Sequence, residues 1–156
     1  MNGEILAVVT PSPVRRWMGV LMQSLIGMIS IYVAFASPPE PKWQFALIVI
    51  GAAAFWSARK MQRATGQSLE LTETELRSSE GEVIAKVDQI EAIDRGFLAF
   101  KPSNGFLITL KSPGQRRWQP GLWWCLGRRI GIGGVVPGHQ SRVMADLLAA
   151  MIADRK

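Results

Sequence analysis

Hydrophobic and polar positions follow three different rhythms along this 156-residue chain. Residues 17–36 run for twenty positions without one ionisable side chain. As an α-helix rising about 1.5 Å per residue, the run is about 30 Å long, the thickness of a bilayer's hydrocarbon core. A helix of that length inside a soluble core would present a polar face, and this one offers only Gln23, Ser24, Ser30 and Tyr32. Residues 37–42 then carry Pro38, Pro39 and Pro41, and cannot stay helical throughout. A second uncharged run covers 43–58. It is about 24 Å long as a helix, and spans only where the bilayer thins or where Pro41 already starts the helix. Two spans joined by six residues predict a tight antiparallel membrane hairpin over 17–58. Gln23 and Ser24 are positioned to hydrogen-bond across it.

Beyond Arg63 the long apolar runs give way to short alternating ones. Residues 68–72, 82–86, 96–100, 106–110 and 122–126 read as strands, separated by turn-forming clusters at 80–81, 102–105, 112–114 and 120–121. Short strands at about 8–12-residue spacing argue for an antiparallel sheet or barrel. The third rhythm closes the chain. Ser141 is a candidate N-cap for a helix on which Val143, Met144, Leu147, Leu148, Met151 and Ile152 form one apolar stripe. The organisation expected is therefore an N-terminal segment over 1–16, the hairpin, and a β domain with a C-terminal helix over 66–156.

Three stretches carry a resemblance to a known family. Residues 69–76 (Leu-Glu-Leu-Thr-Glu-Thr-Glu-Leu) look like its first hairpin. Residues 84–91 are similar to its strand leading into an Ile-x-x-Ile element, and residues 128–134 to its last strand before a closing helix. With two membrane helices ahead of them, these resemble the bacterial membrane-anchored proteins with pleckstrin-homology-like (PH-like) domains. The resemblance covers nearly the whole chain. It implies a membrane α hairpin plus a small all-β PH-like barrel, seven-stranded and partly open, closed by a C-terminal α-helix, with no catalytic residues to carry over.

Charge sets the expected orientation. Arg15 and Arg16 precede the first run, and Arg59, Lys60 and Arg63 follow the second. The connecting loop has Lys42 offset by Glu40. The positive-inside rule then puts both termini in the cytoplasm, and the resemblance implies a multi-pass protein of the bacterial inner membrane. Aromatic anchors agree, with Trp17 and Trp56 at the inner interface and Tyr32 and Trp43 near the outer one. Ala34-Phe35-Ala36 has the small-x-small form of a signal-peptidase site. The apolar stretch is longer than a signal's, however, and a second one follows at once, so the hairpin is the preferred reading.

Composition narrows the chemistry. Charged residues make up 19%, below the ~25% of a typical soluble domain. One Cys excludes an internal disulfide, and one Cys with one His excludes a zinc cluster, so no metal and no cofactor is expected. The net charge of +6 conceals a segregation: residues 70–94 hold eight acids and two bases, whereas 95–145 hold eight bases and no acid. Either the two halves simply attract each other, through exposed pairs worth about 0–1 kcal/mol each, or the domain has two faces for different partners.

Within the basic half, Arg116, Arg117, Trp118, Trp123, Trp124, Arg128 and Arg129 interleave guanidinium forks with indoles. These are the chemistries of phosphate recognition and of the headgroup region. Lipid contact, a protein interface and plain packing are the three readings of this segment. Adjacent strand residues point to opposite faces, so at most one of Trp123 and Trp124 need be core. Stacking on single-stranded nucleic acid would use similar residues, but no recognition motif accompanies them and nucleic acid is not expected. The glycines of 127–138 lack the Gly-Lys-Ser/Thr and the directly following helix of a phosphate loop, and suit turns. His139 sits in a loop, Cys125 in an apolar strand, and Asp88, Glu91 and Asp94 fall at a helical spacing in a segment read as strand. No nucleophile–base set emerges. The expectation is a non-enzymatic inner-membrane protein whose PH-like domain docks on a membrane protein complex with anionic-lipid contact. The alternative is a membrane-bound enzyme with a site the sequence does not display.

Overall fold

The first element is one the hydrophobic pattern does not announce. In the computed structural model, which describes residues 3–96 and 102–155, Ile5–Val9 form strand β1. Its run of aliphatic residues favours extended backbone. Pro11 and Pro13 end the strand, and Pro13, needing no N–H partner, stands in the first turn of helix α1 (Pro13–Ala36). Ser37 caps α1 ahead of Pro38 and Pro39. Helix α2 (Pro41–Ala64) again has its proline in the first turn. Both helices outrun the uncharged stretches, so Arg15, Arg16, Arg59, Lys60 and Arg63 are helical residues.

The two helices pack antiparallel. Gly19 meets Met61 near one end, while Gln44 Nε2 donates to the Ala34 carbonyl at 2.9 Å near the other. Midway, Gly27 and Gly51 are both buried, and a Cβ on either would crowd the other's carbonyl oxygen. The expected bond from Gln23 or Ser24 across the pair is replaced by this one from Gln44. Ser24 Oγ turns back to the Val20 carbonyl of its own helix at 2.8 Å, the local alternative open to a hydroxyl in a helix. By length and composition α1 is long and apolar enough to cross a membrane. Among the described residues it is the only helix that qualifies, because bases bracket the shorter uncharged stretch of α2.

After α2 come β2 (Leu69–Thr72), β3 (Glu75–Ser78) and β4 (Val83–Lys86). A short 3₁₀ turn at Val87–Gln89 leads to β5 (Ile90–Asp94), β6 (Phe106–Leu110), β7 (Arg117–Gln119), β8 (Trp123–Leu126) and β9 (Arg129–Ile132). Helix α3 (Gly138–Ala153) closes the chain. All pairings are antiparallel, and they make two sheets, β1-β2-β3-β4 and β5-β6-β9-β8-β7. In place of the seven-stranded, partly open barrel that the resemblance implies, nine strands among the described residues lie in two separate sheets. At the corner between β4 and β5, Val87 N–H bonds back to the carbonyl of Thr74 in the β2–β3 turn, and the Gln89 carbonyl accepts from the Lys111 N–H just past β6. The ladder thus breaks where closure would need it continuous. On the far side β4 and β7 leave a cleft of about 200 Å³, lined by Ile84, Lys86, Trp123 and Cys125, beside which Arg117 of β7 pairs with Glu82, the residue before β4.

Between the sheets lies one core, including Leu69, Leu71, Leu76, Phe106, Ile108, Trp123 and Ile130, with Met144 and Leu148 of α3 set into it. The helical stripe is as expected at those two positions, and Leu147, Met151 and Ile152 pack against the same core; Val143 faces outward. The N-terminus of α3 differs from expectation. It begins at Gly138, so Ser141 lies inside its first turn and the hydroxyl donates to the carbonyls of Gly138 and Asn104 instead of capping. The strand expected over 96–100 lies, apart from Gly96, outside the described residues.

One topological fact positions everything that follows. β1 precedes α1, β2 follows α2, and these strands pair directly, Val9 opposite Leu69 and Val8 opposite Glu70. The helix pair is an insertion into what would otherwise be a β hairpin. Residues 5–9, read above as part of a separate N-terminal segment, belong to the β domain.

Candidate functional site

The basic and aromatic positions singled out in the sequence occupy β7, β8 and β9, with Arg116 just ahead of β7 and Arg128 in the β8–β9 turn, and the pleat separates those on the strands. Trp123 points inward and is 1% exposed, a core residue. Trp124 points the other way and its ring lies across Gly131, its partner on β9, where any side chain would overlap the indole. Trp118, opposite Trp124 on β7, is 47% exposed.

Beyond Trp118 lies the base of α2. The Trp118 and Trp56 ring centroids are 6.4 Å apart, tilted by 41°. The Lys60 ammonium stands over both rings, 4.7 Å from the Trp118 centroid and 5.1 Å from that of Trp56. Both distances are within cation–π range. Trp56 and Lys60 fall one helical turn apart on the same face, and the turn containing Gly121 abuts Met61 and Thr65, so the β7–β8 ribbon is seated on the end of α2. The end of α1 is tied in likewise. Ser12 N–H donates to the Val135 carbonyl at 2.7 Å, Arg15 Nη1 to Val136 at 3.1 Å, and Arg16 Nη2 to Gln62 of α2 at 2.9 Å.

The four arginines do not act as one patch. Arg117 pairs with Glu82 at 2.7 Å and also meets Gln115, and Arg128 pairs with Glu91 and donates to the Leu110 carbonyl. The opposed charges of 70–94 and 95–145 thus partly neutralise each other within the fold. Arg116 and Arg129 are exposed, and their side chains make no ion pair or hydrogen bond among the described residues. Arg128 and Arg129 adjoin Gly127, whose φ of +61° opens the β8–β9 turn. At about 3.3 Å per residue they stand about 20 Å along the ribbon from Gly121.

Of the remaining anchors, Trp17 and Trp43 are exposed, with Arg16 and Lys42 each 5.8 Å from the adjacent ring centroid, and Arg59 and Arg63 face outward. The outer surface of the helix pair is apolar throughout its middle, including Leu21, Leu25, Ile29, Phe45 and Phe55. The contact of Lys60 with Trp118 was invisible in sequence. Only the i, i+4 pair Trp56 and Lys60 was legible, and no local signal joins it to a residue 58 positions on.

The candidates for chemistry stay apart. His139 is exposed on α3. Cys125 is buried in β8, where desolvation pushes its thiol pKa up and the charge of Arg117 only partly opposes the shift. Asp88 lies in the 3₁₀ turn, Glu91 is held by Arg128, and the Asp94 carboxylate accepts from the Gly96 N–H. No three His, Cys, Asp or Glu side chains among the described residues are grouped to hold a metal ion. No family model, curated protein or solved structure matches this chain.

Proposed function

We propose that this protein is a non-enzymatic binding module anchored in the bacterial inner membrane. In this reading α1 and α2 both cross the bilayer, and a PH-like domain in the cytoplasm docks on a membrane protein complex with support from anionic lipid. The observation that carries the proposal is the insertion of an apolar helix pair between two paired strands. Because β1 and β2 share a ladder, they lie on one side of any membrane, and if α1 crosses then α2 must cross back. Pro41 starts α2 two residues before its uncharged run, so the helix from Pro41 to Ala58, with Lys42 at its outer end, is about 27 Å long, within reach of a slightly thinned bilayer. The bases at the shared end favour the cytoplasmic side. At the other end of the β8–β9 ribbon, Leu126 is 56% exposed beside the unpaired Arg129, an apolar and cationic tip suited to a protein partner.

Two measurements test the proposal. Tagged full-length protein should stay with membranes through alkaline carbonate extraction. It should also copurify with a stoichiometric membrane protein in mild detergent, and a Leu126→Ser/Arg129→Gln variant should lose that partner while remaining in the membrane. Release into the carbonate supernatant would end the membrane reading. Retention of every partner by the variant would remove the tip as the docking surface.

A further inference from the structure

We infer that Trp56, Lys60 and Trp118 form a clamp for the phosphate of an anionic phospholipid, which holds the β7 edge of the domain against the inner leaflet. The inference rests on the membrane reading above and adds to it a particular site and ligand. Lys60 follows Ala58, the last residue of the uncharged run, by two positions, so its ammonium falls at headgroup depth once α2 spans. Two indole faces hold it at 4.7 and 5.1 Å, yet the ring contacts leave its charge unneutralised. Among the described residues Lys60 has no carboxylate within ion-pair distance and no hydrogen-bond acceptor. An ammonium has three N–H donors to satisfy, and at this depth the abundant acceptor is a lipid phosphate.

The surroundings are complementary to that ligand. Residues 41–69 contain no Asp or Glu but carry Lys42, Arg59, Lys60 and Arg63, and residues 95–145, which supply Trp118, contain no acid either. Arg59 and Arg63 are exposed on the same end of α2. Trp56 is 60% exposed and Trp118 47%. Indoles are amphipathic, and those two fractions fit rings that are wet on the N–H side and in lipid on the other. A purely structural contact would have buried them, as it buries Trp123. The clamp also divides the Arg/Trp segment by role: Trp118 belongs to the membrane side of the ribbon, Arg128 and Arg129 to the far end.

The test uses the full chain in lipid nanodiscs of phosphatidylcholine with or without phosphatidylglycerol. In a Cys125→Ser background, a fluorophore on Gln119→Cys, next to Trp118, is compared with one on Leu126→Cys at the far tip, using brominated lipids as quenchers. The label at 119 should be quenched more strongly in anionic discs and the label at 126 in neither. Lys60→Gln should lower the anionic preference at 119 by about fivefold, the effect of one base at an anionic surface, while Lys60→Arg keeps it. Added salt should weaken it, because exposed charges are screened beyond about 8 Å at physiological ionic strength. Equal quenching at 119 in both disc types, or no change in Lys60→Gln, overturns the clamp while leaving the anchor intact. Abolition by millimolar inorganic phosphate overturns the lipid assignment in favour of a soluble anion. A chain that carbonate extracts overturns the membrane reading itself.

Discussion

Side chains on β8 show how strongly one residue's surroundings decide its chemistry. Trp123 and Trp124 are neighbours of identical type, yet the pleat sends one into the core and the other across Gly131. The glycine is required because the indole occupies the space of its missing side chain. Cys125, next in line, returns to the inner face and is 5% exposed. Burial disfavours the thiolate, so its folded-state pKa is raised above the unfolded value. The sign of the linkage follows. The thiol's contribution to stability is full below the unfolded pKa and is lost as pH rises through the folded one. Cys125 should therefore resist iodoacetamide at neutral pH until the protein is denatured. Denaturant melts of Cys125→Ala should lose less stability than the parent as pH climbs above about 8.5. Rapid alkylation of the native protein would contradict the assignment.

Among the elements, α3 is the one whose energetics are simplest to isolate. Met144, Ala145 and Leu148 are buried against the sheets, while Arg142 and Val143 face outward. Truncating a fully buried leucine costs about 2–5 kcal/mol, because the site loses both transfer energy and packing. Leu148→Ala should lower the denaturation midpoint accordingly, and Arg142→Ala should leave it within about 0.5 kcal/mol, as exposed substitutions usually do. Equal effects would mean that α3 is not docked on that face. The helix pair obeys a different constraint. At Gly27 and Gly51 each backbone lies against the other's carbonyl oxygen, the close approach that small residues allow and that favours helix association in lipid.

At the scale of the whole molecule, the insertion topology makes two predictions. Val9 and Leu69 face each other across the ladder from which the helices depart and to which they return. Replacing residues 13–64 by a short Asn-Gly-containing loop should thus give a soluble domain with native β circular dichroism. Residues 66–156 alone, lacking β1 and the fully buried Val9, should be distinctly less stable in urea. Equal stability of the two would deny β1 its place in the sheet. In intact cells, cysteines at Ser37 and Ser112 should label oppositely, the first from outside and the second only after lysis. External labelling at Ser112 would reverse the orientation.

Much of this was legible in the sequence, and what was legible was local. Freedom from charge over 17–36 set a long apolar helix, and prolines at 38, 39 and 41 set its end and the next beginning. Alternation and turn residues marked β2, β4, β6 and β8 to within a residue or so, and periodicity marked α3. These features need only neighbours within a few positions. Strand β1 was missed because five aliphatic residues ahead of a membrane-length helix carry no period of their own, and β5 because it exposes three of its five positions, Glu91, Ala92 and Asp94, and buries only Ile90 fully. Only the tertiary structure decided that the sheets stay separate, that Arg117 and Arg128 spend their charge on Glu82 and Glu91, and that Trp118 reaches Lys60. Each of these joins residues dozens of positions apart. Such contacts form only when burial of a shared core brings distant strands together, and no short-range pattern encodes that meeting.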